Sequence, residues 1–239
     1  MKAKVIETRH FKNDIFYIKM ECMSVEINPF QFLSIRIPDS GTIFRRPFSI
    51  FDFIEGEVSV LIKKVGKGTE FLSNIKINES LDVLIPLGNS DYRNIELNTK
   101  ILFLAGGIGL AGIHAFYKKQ NERNLVFGDK DGEYRDVIEH FDIKCEYYTE
   151  TGKNGIKGFA TDSIEKKEFD SIIACGPFAM FKTIKNKINS KKRFYAVCEE
   201  IMACGAGLCN GCTVKFDDGT FKKICTEGPL LDGARIMYE

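Results

Sequence analysis

Hydrophobic and polar positions change rhythm twice along the chain. Up to about residue 97 the apolar residues come in short runs, namely Phe32-Leu33-Ser34-Ile35-Arg36-Ile37, Val58-Ser59-Val60-Leu61-Ile62 and Leu81-Asp82-Val83-Leu84-Ile85-Pro86, broken by Gly, Pro, Asn and Asp. Short runs bounded by turn formers predict an antiparallel sheet or a small barrel. One helix is expected to interrupt it at 69–74, with Thr69 as N-cap and Gly68 in the preceding loop. From about 98 to 192 the runs become continuous and end in glycine. Ile101-Leu102-Phe103-Leu104-Ala105 leads into Gly106-Gly107-Ile108-Gly109 and a helical stretch from Ala111 to Lys119. Leu125-Val126-Phe127 is a second buried strand, and Ile172-Ile173-Ala174-Cys175 leads through Gly176-Pro177 to a helix from Ala179 to Lys187. Strand, glycine turn and helix in repetition predict a parallel sheet with crossover helices. Residues 193–239 are too few for a large core of their own, and a metal centre would supply the missing stability. The fold class expected is therefore multidomain, α+β and α/β, divided at 1–97, 98–192 and 193–239.

Charge adds little. Lys and Arg number 34 against 33 Asp and Glu, and the longest basic run, Lys191-Lys192-Arg193, reads as a solvated loop. No nucleic-acid partner is expected, because phosphate neutralisation needs a clustered basic surface. No apolar run approaches the ~20 residues of a membrane span, and the start Met1-Lys2-Ala3-Lys4-Val5-Ile6-Glu7 lacks the apolar core of a signal peptide. A cytoplasmic protein without a membrane partner is expected.

The cysteines change the picture. Five of the eight lie in the last 42 residues, and such crowding in a reducing compartment points to metal ligation rather than disulfides. Cys204, Cys209 and Cys212 form C-x4-C-x2-C, and Cys225 follows after twelve intervening residues. This is the plant-type [2Fe–2S] spacing, in which four thiolates converge on two sulfide-bridged irons. Glycines at 205, 207 and 211 permit a tight loop that brings backbone N–H groups near sulfur. A four-cysteine zinc site is the alternative, although zinc ligands usually come as two short-spaced pairs. Cys198 reads as a buried thiol or an alternative ligand, and Cys22 and Cys145 as core residues.

Three further segments carry candidate chemistry. Gly106, Gly107 and Gly109 follow a buried strand and open a helix, where backbone N–H groups and the helix dipole favour a pyrophosphate. Asp129, twenty residues beyond Gly109, stands where an acid accepts from a ribose 2′-hydroxyl, or is an ordinary loop aspartate. Cys175 and Gly176 end another parallel strand, so Cys175 is expected to face a nicotinamide or to form a simple turn. In Arg46-Pro47-Phe48-Ser49 the proline extends the chain. Arg46 and Ser49 then sit about 10 Å apart, within reach of one long ligand. A guanidinium suits a diphosphate, and a hydroxyl suits a flavin or phosphate oxygen. Gly66-Lys67-Gly68-Thr69 is a second glycine turn at a helix start, another candidate phosphate contact.

The order RPxS, GxGT, GGxG and CGP, over nearly the whole chain, resembles that of ferredoxin–NADP reductase-like flavoproteins. The ending, Glu199-Glu200-Ile201-Met202-Ala203-Cys204-Gly205-Ala206-Gly207-Leu208-Cys209-Asn210-Gly211-Cys212 with Ile224-Cys225-Thr226-Glu227-Gly228-Pro229, is more specific. It resembles the electron-transfer subunits of dihydroorotate dehydrogenase B, the NAD-linked enzyme of pyrimidine synthesis. Thr149-Glu150-Thr151-Gly152 and Gly155-Ile156-Lys157-Gly158 are similar to that family's nucleotide-domain loop.

The resemblance implies an antiparallel β-barrel FAD domain at 1–97, a parallel α/β NAD domain at 98–192 and a small [2Fe–2S] domain at 193–239. It implies FAD contacts from Arg46, Pro47, Phe48, Ser49, Leu61, Ile62 and Lys63, with Gly68 and Thr69 at the phosphates. Cluster ligation falls to Cys204, Cys209, Cys212 and Cys225, and NAD binding to Gly106, Gly107, Gly109, Cys175 and Gly176. Two positions depart from the family's pattern. Gly112 stands where proline is usual, which implies a looser nicotinamide pocket, and Lys63 replaces the usual arginine with a less planar contact.

The implied activity is that of an oxidoreductase subunit. Dihydroorotate is oxidised at the FMN of a partner catalytic chain, and electrons pass through [2Fe–2S] and FAD to NAD. No catalytic residue is assigned to this chain, because the barrel that would carry a base and an FMN site takes ~250 residues by itself. The expected assembly is a heterotetramer with two copies of each chain. The alternatives are a subunit of a ferredoxin–NAD(P) oxidoreductase, sulfide dehydrogenase or hydrogenase complex, and a non-enzymatic binding module ending in a zinc ribbon.

Overall fold

The structure is a computed structural model that describes residues 1–22, 25–38, 43–89, 92, 95 and 99–238. The first half forms a seven-stranded antiparallel sheet. Its strands are β1 (Lys2–His10), β2 (Ile15–Glu21), β3 (Phe32–Arg36), β4 (Arg46–Ser49), β5 (Asp52–Ile54), β6 (Glu57–Lys63) and β7 (Ser80–Leu87), with helix α1 (Lys67–Ser73) between the last two. Their spatial order is β4-β3-β7-β1-β2-β6-β5. Alternate side chains on a strand share a face. Accordingly Ala3, Val5, Phe16, Ile18, Met20, Leu33, Ile35, Val58, Val60, Ile62, Leu81 and Val83 fill one core. Ile15, Tyr17 and Leu61, on the opposite face, enter a second core shared with the rest of the chain. β4 and β5 stand at opposite edges of the sheet, yet only Ile50 and Phe51 separate them. Ile50 N–H donates to Gln31 O (3.2 Å), and Phe51 N–H to Ser59 O (2.9 Å) beside β5. The sheet therefore curls until its two edges meet.

Helix α1 begins two residues before the expected Thr69. Gly66 occupies the cap position, and Thr69 lies one turn in. Its Oγ1 accepts from the N–H groups of Val65 (2.8 Å) and Gly66 (3.1 Å). A hydroxyl can reach back from the third helical position, so Thr69 organises the start without being the cap.

The second half is an α/β layer. Its strands are β8 (Ile101–Gly106), β9 (Leu125–Asp129), β10 (Glu146–Thr149), β11 (Ile156–Lys157), β12 (Ser171–Cys175) and β13 (Arg193–Val197). A hairpin of β14 (Thr213–Lys215) and β15 (Phe221–Lys223) follows, and β16 (Leu230–Asp232) completes the set. The helices are α2 (Leu110–Tyr117), α3 (Arg135–His140), α4 (Phe178–Lys187) and α5 (Ile224–Glu227). The sheet order is β11-β10-β9-β8-β12-β13-β16, parallel except for β16. β10 and β13 escape a search for continuous aliphatic runs because they begin Glu146-Tyr147-Tyr148 and Arg193-Phe194-Tyr195. Chain order reverses between β8 and β12, and crevices for ligands form at such switch points.

Residues 193–238 do not stand apart from this sheet, because β13 and β16 are two of its strands. Cys212, Val214, Phe216, Ile224, Cys225 and Ile236 share one core with Leu102, Ile172 and Phe181. Packing against the α/β layer thus supplies burial that the short segment cannot supply alone. Among the described residues, no helix is long and apolar enough to cross a membrane.

Candidate functional site

A cleft of about 1360 Å³ opens between the curled sheet and the carboxyl ends of the parallel strands. From the first half it is lined by Phe32, Pro47, Phe48, Ser49, Leu61, Ile62, Lys63 and Thr69. The second half contributes Gly106, Gly107, Gly109 and Gly176 at the switch point, with Asp129, Tyr134 and the stretch 158–162 beside them. Arg46 and Gly68 lie just behind this lining. A Cβ on Gly68 would stand 3.6 Å from Arg46 Nε, so the guanidinium rests over the first turn of α1. Its neighbour Arg45 is held elsewhere, by Asp82 at 3.0 Å.

The switch-point glycines are required by close approach. A Cβ on Gly109 would lie 2.3 Å from Cys175 O, so any side chain there would push α2 off the end of β12. Gly176 has Gly106 Cα 3.2 Å from its own Cβ position, which leaves bare backbone at the base of the cleft.

Cys175, expected at the nicotinamide, does not line the cleft. It is completely buried, and its Sγ would lie 2.7 Å from a Cβ on Gly112. Burial pushes this thiol well above its ordinary range. Gly112 therefore makes room for sulfur rather than loosening a nicotinamide pocket. Asp129 lines the cleft and is also tied into its own loop. Its carboxylate accepts from Gly132 N–H (2.7 Å), Tyr134 N–H (3.1 Å) and the Tyr147 hydroxyl, and so it shapes the loop after β9. That hydrogen bond adds to burial in raising the Tyr147 phenol, burial being the larger cause.

Two polar contacts cross the cleft. Ser49 Oγ donates to Glu199 Oε1 at 2.9 Å, and Lys63 Nζ donates to Glu133 Oε2 at 2.5 Å. Glu199 is open to the cleft yet surrounded by protein. That enclosure raises its carboxyl above the ordinary value, and the Ser49 hydrogen bond opposes the rise. Glu199, Glu133, Phe32, Met180 and Pro229 also line the cleft, without a role expected from the sequence. The only signal for Glu199 was its place at the start of the cysteine-rich ending.

The cysteine loop begins where the cleft ends. Residues 198–202 line the cleft, and Cys204 follows. Positive φ at Gly205 (63°), Gly207 (76°) and Asn210 (57°) winds the loop tightly enough for main-chain N–H groups to turn inward. Cys204 Sγ accepts from Ala206 N–H and Cys209 N–H, both at 3.4 Å. Cys225 Sγ accepts from Gly207 N–H (3.2 Å), and Cys209 Sγ from Gly211 N–H (3.4 Å). These donors draw the Cys204 thiol down to about 6, whereas burial raises Cys225 to about 11. The sulfurs associate as two pairs, Cys204 with Cys209 and Cys212 with Cys225. Among the described residues, no group of three or more His, Cys, Asp or Glu side chains is gathered as a ligand set. The donor chemistry nevertheless fits a thiolate-bound cluster, since three thiols on the loop and a fourth on α5 include three that accept from main-chain N–H groups.

Residues 199–237 match the family model for the iron–sulfur cluster binding domain of dihydroorotate dehydrogenase B. A dihydroorotate dehydrogenase B (NAD+) electron transfer subunit homolog of Aquifex aeolicus is 32% identical over 249 residues, covering 99% of this chain and 98% of its own. The electron transfer subunit from Fusobacterium nucleatum is 36% identical over 233 residues, covering 88% and 87%. Among solved structures, a chain of an NADH-dependent reduced ferredoxin-NADP oxidoreductase superposes with a TM-score of 0.85 at 28% identity, over 99% of this chain and 90% of that one. A ferredoxin reductase of carbazole 1,9a-dioxygenase (TM-score 0.64, 19% identity, covering 81% and 68%) shares the fold.

Proposed function

The chain belongs to the family of dihydroorotate dehydrogenase B electron-transfer subunits, and from that premise we propose that it carries electrons from the FMN of a partner catalytic chain, through [2Fe–2S] and FAD, to NAD in pyrimidine biosynthesis. The observation that carries this reading is the continuity of one segment. Residues 198–202 line the cleft, and the first cysteine of the loop stands two positions beyond. A cluster at Cys204, Cys209, Cys212 and Cys225 would therefore lie beside anything bound in the cleft.

The roles of the chain's own residues follow from their places. Pro47, Phe48, Ser49, Leu61, Ile62 and Lys63 form the wall that holds a flavin, and the curled sheet is its barrel-type domain. Arg46, with Gly68 and Thr69 at the start of α1, holds the diphosphate. Gly106, Gly107, Gly109 and Gly176 leave backbone bare at the switch point, where NAD docks. Bound FAD supplies exchange of single electrons with the cluster side and of hydride with NAD. The N–H groups of Ala206, Gly207, Cys209 and Gly211 stabilise thiolate charge and tune the cluster's potential. The assembly is a cytoplasmic heterotetramer with two copies of each chain.

Co-purification with an FMN-containing dihydroorotate-oxidising chain tests this. The expected product contains FAD, iron and acid-labile sulfide, and forms NADH on addition of dihydroorotate. Colourless protein holding zinc would overturn the reading. The superposition on a ferredoxin-NADP oxidoreductase chain over 99% of this sequence favours a second reading, electron exchange with a ferredoxin-linked complex. It would be chosen if reduced ferredoxin, but not the dihydroorotate-oxidising chain, supported NAD(P)H formation.

A further inference from the structure

We propose that the end of β7 sets the distance between the cysteine segment and the cleft, with Gly88 as the positioning residue that makes the contact possible. The inference rests on the electron path proposed above and concerns the geometry that the path requires.

The end of β7 meets the cysteine segment at two places. Leu87 Cδ1 lies 3.8 Å from the Cβ position of Gly205, next to Cys204. One residue on, Gly88 presses on Gly228–Pro229, which follow the α5 turn that carries Cys225. A Cβ on Gly88 would stand 2.8 Å from Pro229 Cδ, 3.0 Å from Gly228 O and 3.2 Å from Phe32 Cε1. The backbone there has φ +86°, which side-chain-bearing residues rarely adopt. Main-chain hydrogen bonds fix the contact on both sides. Asn89 N–H donates to Gly228 O (2.7 Å), and Cys198 N–H donates to Pro229 O (2.9 Å). Gln31 Nε2 holds Gly88 O at 2.9 Å.

Gly228–Pro229 is thus clamped between the curled sheet and the end of β13. From there the constraint runs back into α5, since Gly228 N–H donates to Ile224 O at 3.2 Å. It continues to the loop, where Gly207 N–H reaches Cys225 Sγ and Lys223 Nζ reaches Gly207 O at 2.9 Å. A side chain at position 88 has space only if Pro229, Gly228 or Phe32 gives way, and Gly228–Pro229 is tied to α5 through the Gly228 N–H to Ile224 O bond. Leu87 and Gly88 do not line the cleft themselves, but Phe32 and Pro229, which meet the Gly88 Cβ position, do, so Leu87→Ala is the variant that spares the cleft lining.

The test uses the full chain assembled with its partner, comparing the parent with Gly88→Ala and Leu87→Ala. Iron and sulfide contents stay at parental levels in both variants, and flavin content and NADH-driven dye reduction stay parental in Leu87→Ala. In Gly88→Ala, reduction of the cluster after mixing with NADH, followed by freeze-quench EPR, slows about tenfold, as expected for a displaced redox pair. The amides of Asn89 and Cys198 exchange hydrogen faster, a readout that needs no turnover. Leu87→Ala, which adds no strain, slows cluster reduction in the same direction by less, and it decides the matter if Gly88→Ala does not fold. Parental rates of cluster reduction in the folded variants would overturn the inference and leave the proposed function standing. A parent chain holding neither flavin nor iron would overturn both.

Discussion

Gly112 and Cys175 are complementary residues, one lacking the volume that the other fills. A methyl group at 112 would stand 2.7 Å from Cys175 Sγ and 3.3 Å from Val197 Cγ1. Gly112→Ala is therefore expected to cost about 1–3 kcal/mol of stability through overpacking. Adding Cys175→Ala should recover most of that loss, because neighbours sharing one cavity are not additive. Urea denaturation of both variants measures this, and a double variant no better than the single one would place the clash elsewhere. The same scale decides the cysteines. Cys209 is the exposed member of the set, and its thiol packs on the loop alone. Replacing Cys209 by serine should leave NADH-driven dye reduction near the parental rate while abolishing transfer to the partner. Equal loss of both with FAD retained would refute the electron order. At this scale the sequence displayed residue types but not their directions. Cys175 was legible as a strand end, yet whether its sulfur faced the cleft or the core depended on helix α2 lying against it.

Among the elements, β8 and β12 were legible because each is a continuous apolar run closed by glycine, and β3, β6 and β7 because they alternate. β16 was not. It has three residues, and what makes them a strand is the exposed edge of β13, to which Tyr195, Ala196 and Val197 bring Asp232, Leu231 and Leu230 into register. This short strand ties the cysteine-bearing tail to the α/β sheet. Leu231, 8% exposed, is expected to cost about 2–5 kcal/mol on replacement by alanine. Hydrogen exchange should then show lost protection in β13 as well as in the tail. Loosening confined to residues 204–229 would mean that the tail does not share the sheet's core. Thr69 shows the same limit at a helix start, since its hydroxyl was a recognisable capping group but the backbone before it chose Gly66 as the cap.

At the scale of the whole molecule, the two halves are pinned by His114 of α2. Its ring is buried, stacks on Phe51 at 4.0 Å and 6°, and places Nδ1 3.0 Å from Phe51 O. Beside it, Lys118 pairs with Asp52 across the same junction. Burial holds the His114 imidazole below its ordinary value of 6.5. Lys118 and Arg123 push in that direction, while the Phe51 carbonyl and Asp52 oppose it. The unfolded chain therefore takes up a proton that the folded ring resists. Stability is fully present above pH 6.5 and declines as the pH falls from there toward the lower folded value. Thermal midpoints measured between about pH 7.5 and 5.5 should drop in the parent and flatten in His114→Gln. An unchanged pH slope in the variant would assign the effect to other groups.

What the sequence determined by itself is what neighbours along the chain encode. Alternation, apolar runs, glycine turns and the cysteine spacing specify the two kinds of sheet and the candidate chemistry of each segment. Only the tertiary structure decided which distant residues share a site. Ser49 meets Glu199 across 150 positions, Lys63 meets Glu133 across 70, and Gly88 meets Pro229. These meetings depend on the curl of one sheet and the strand order of the other. Packing sets both through contacts between segments far apart in the chain, and no local pattern records them.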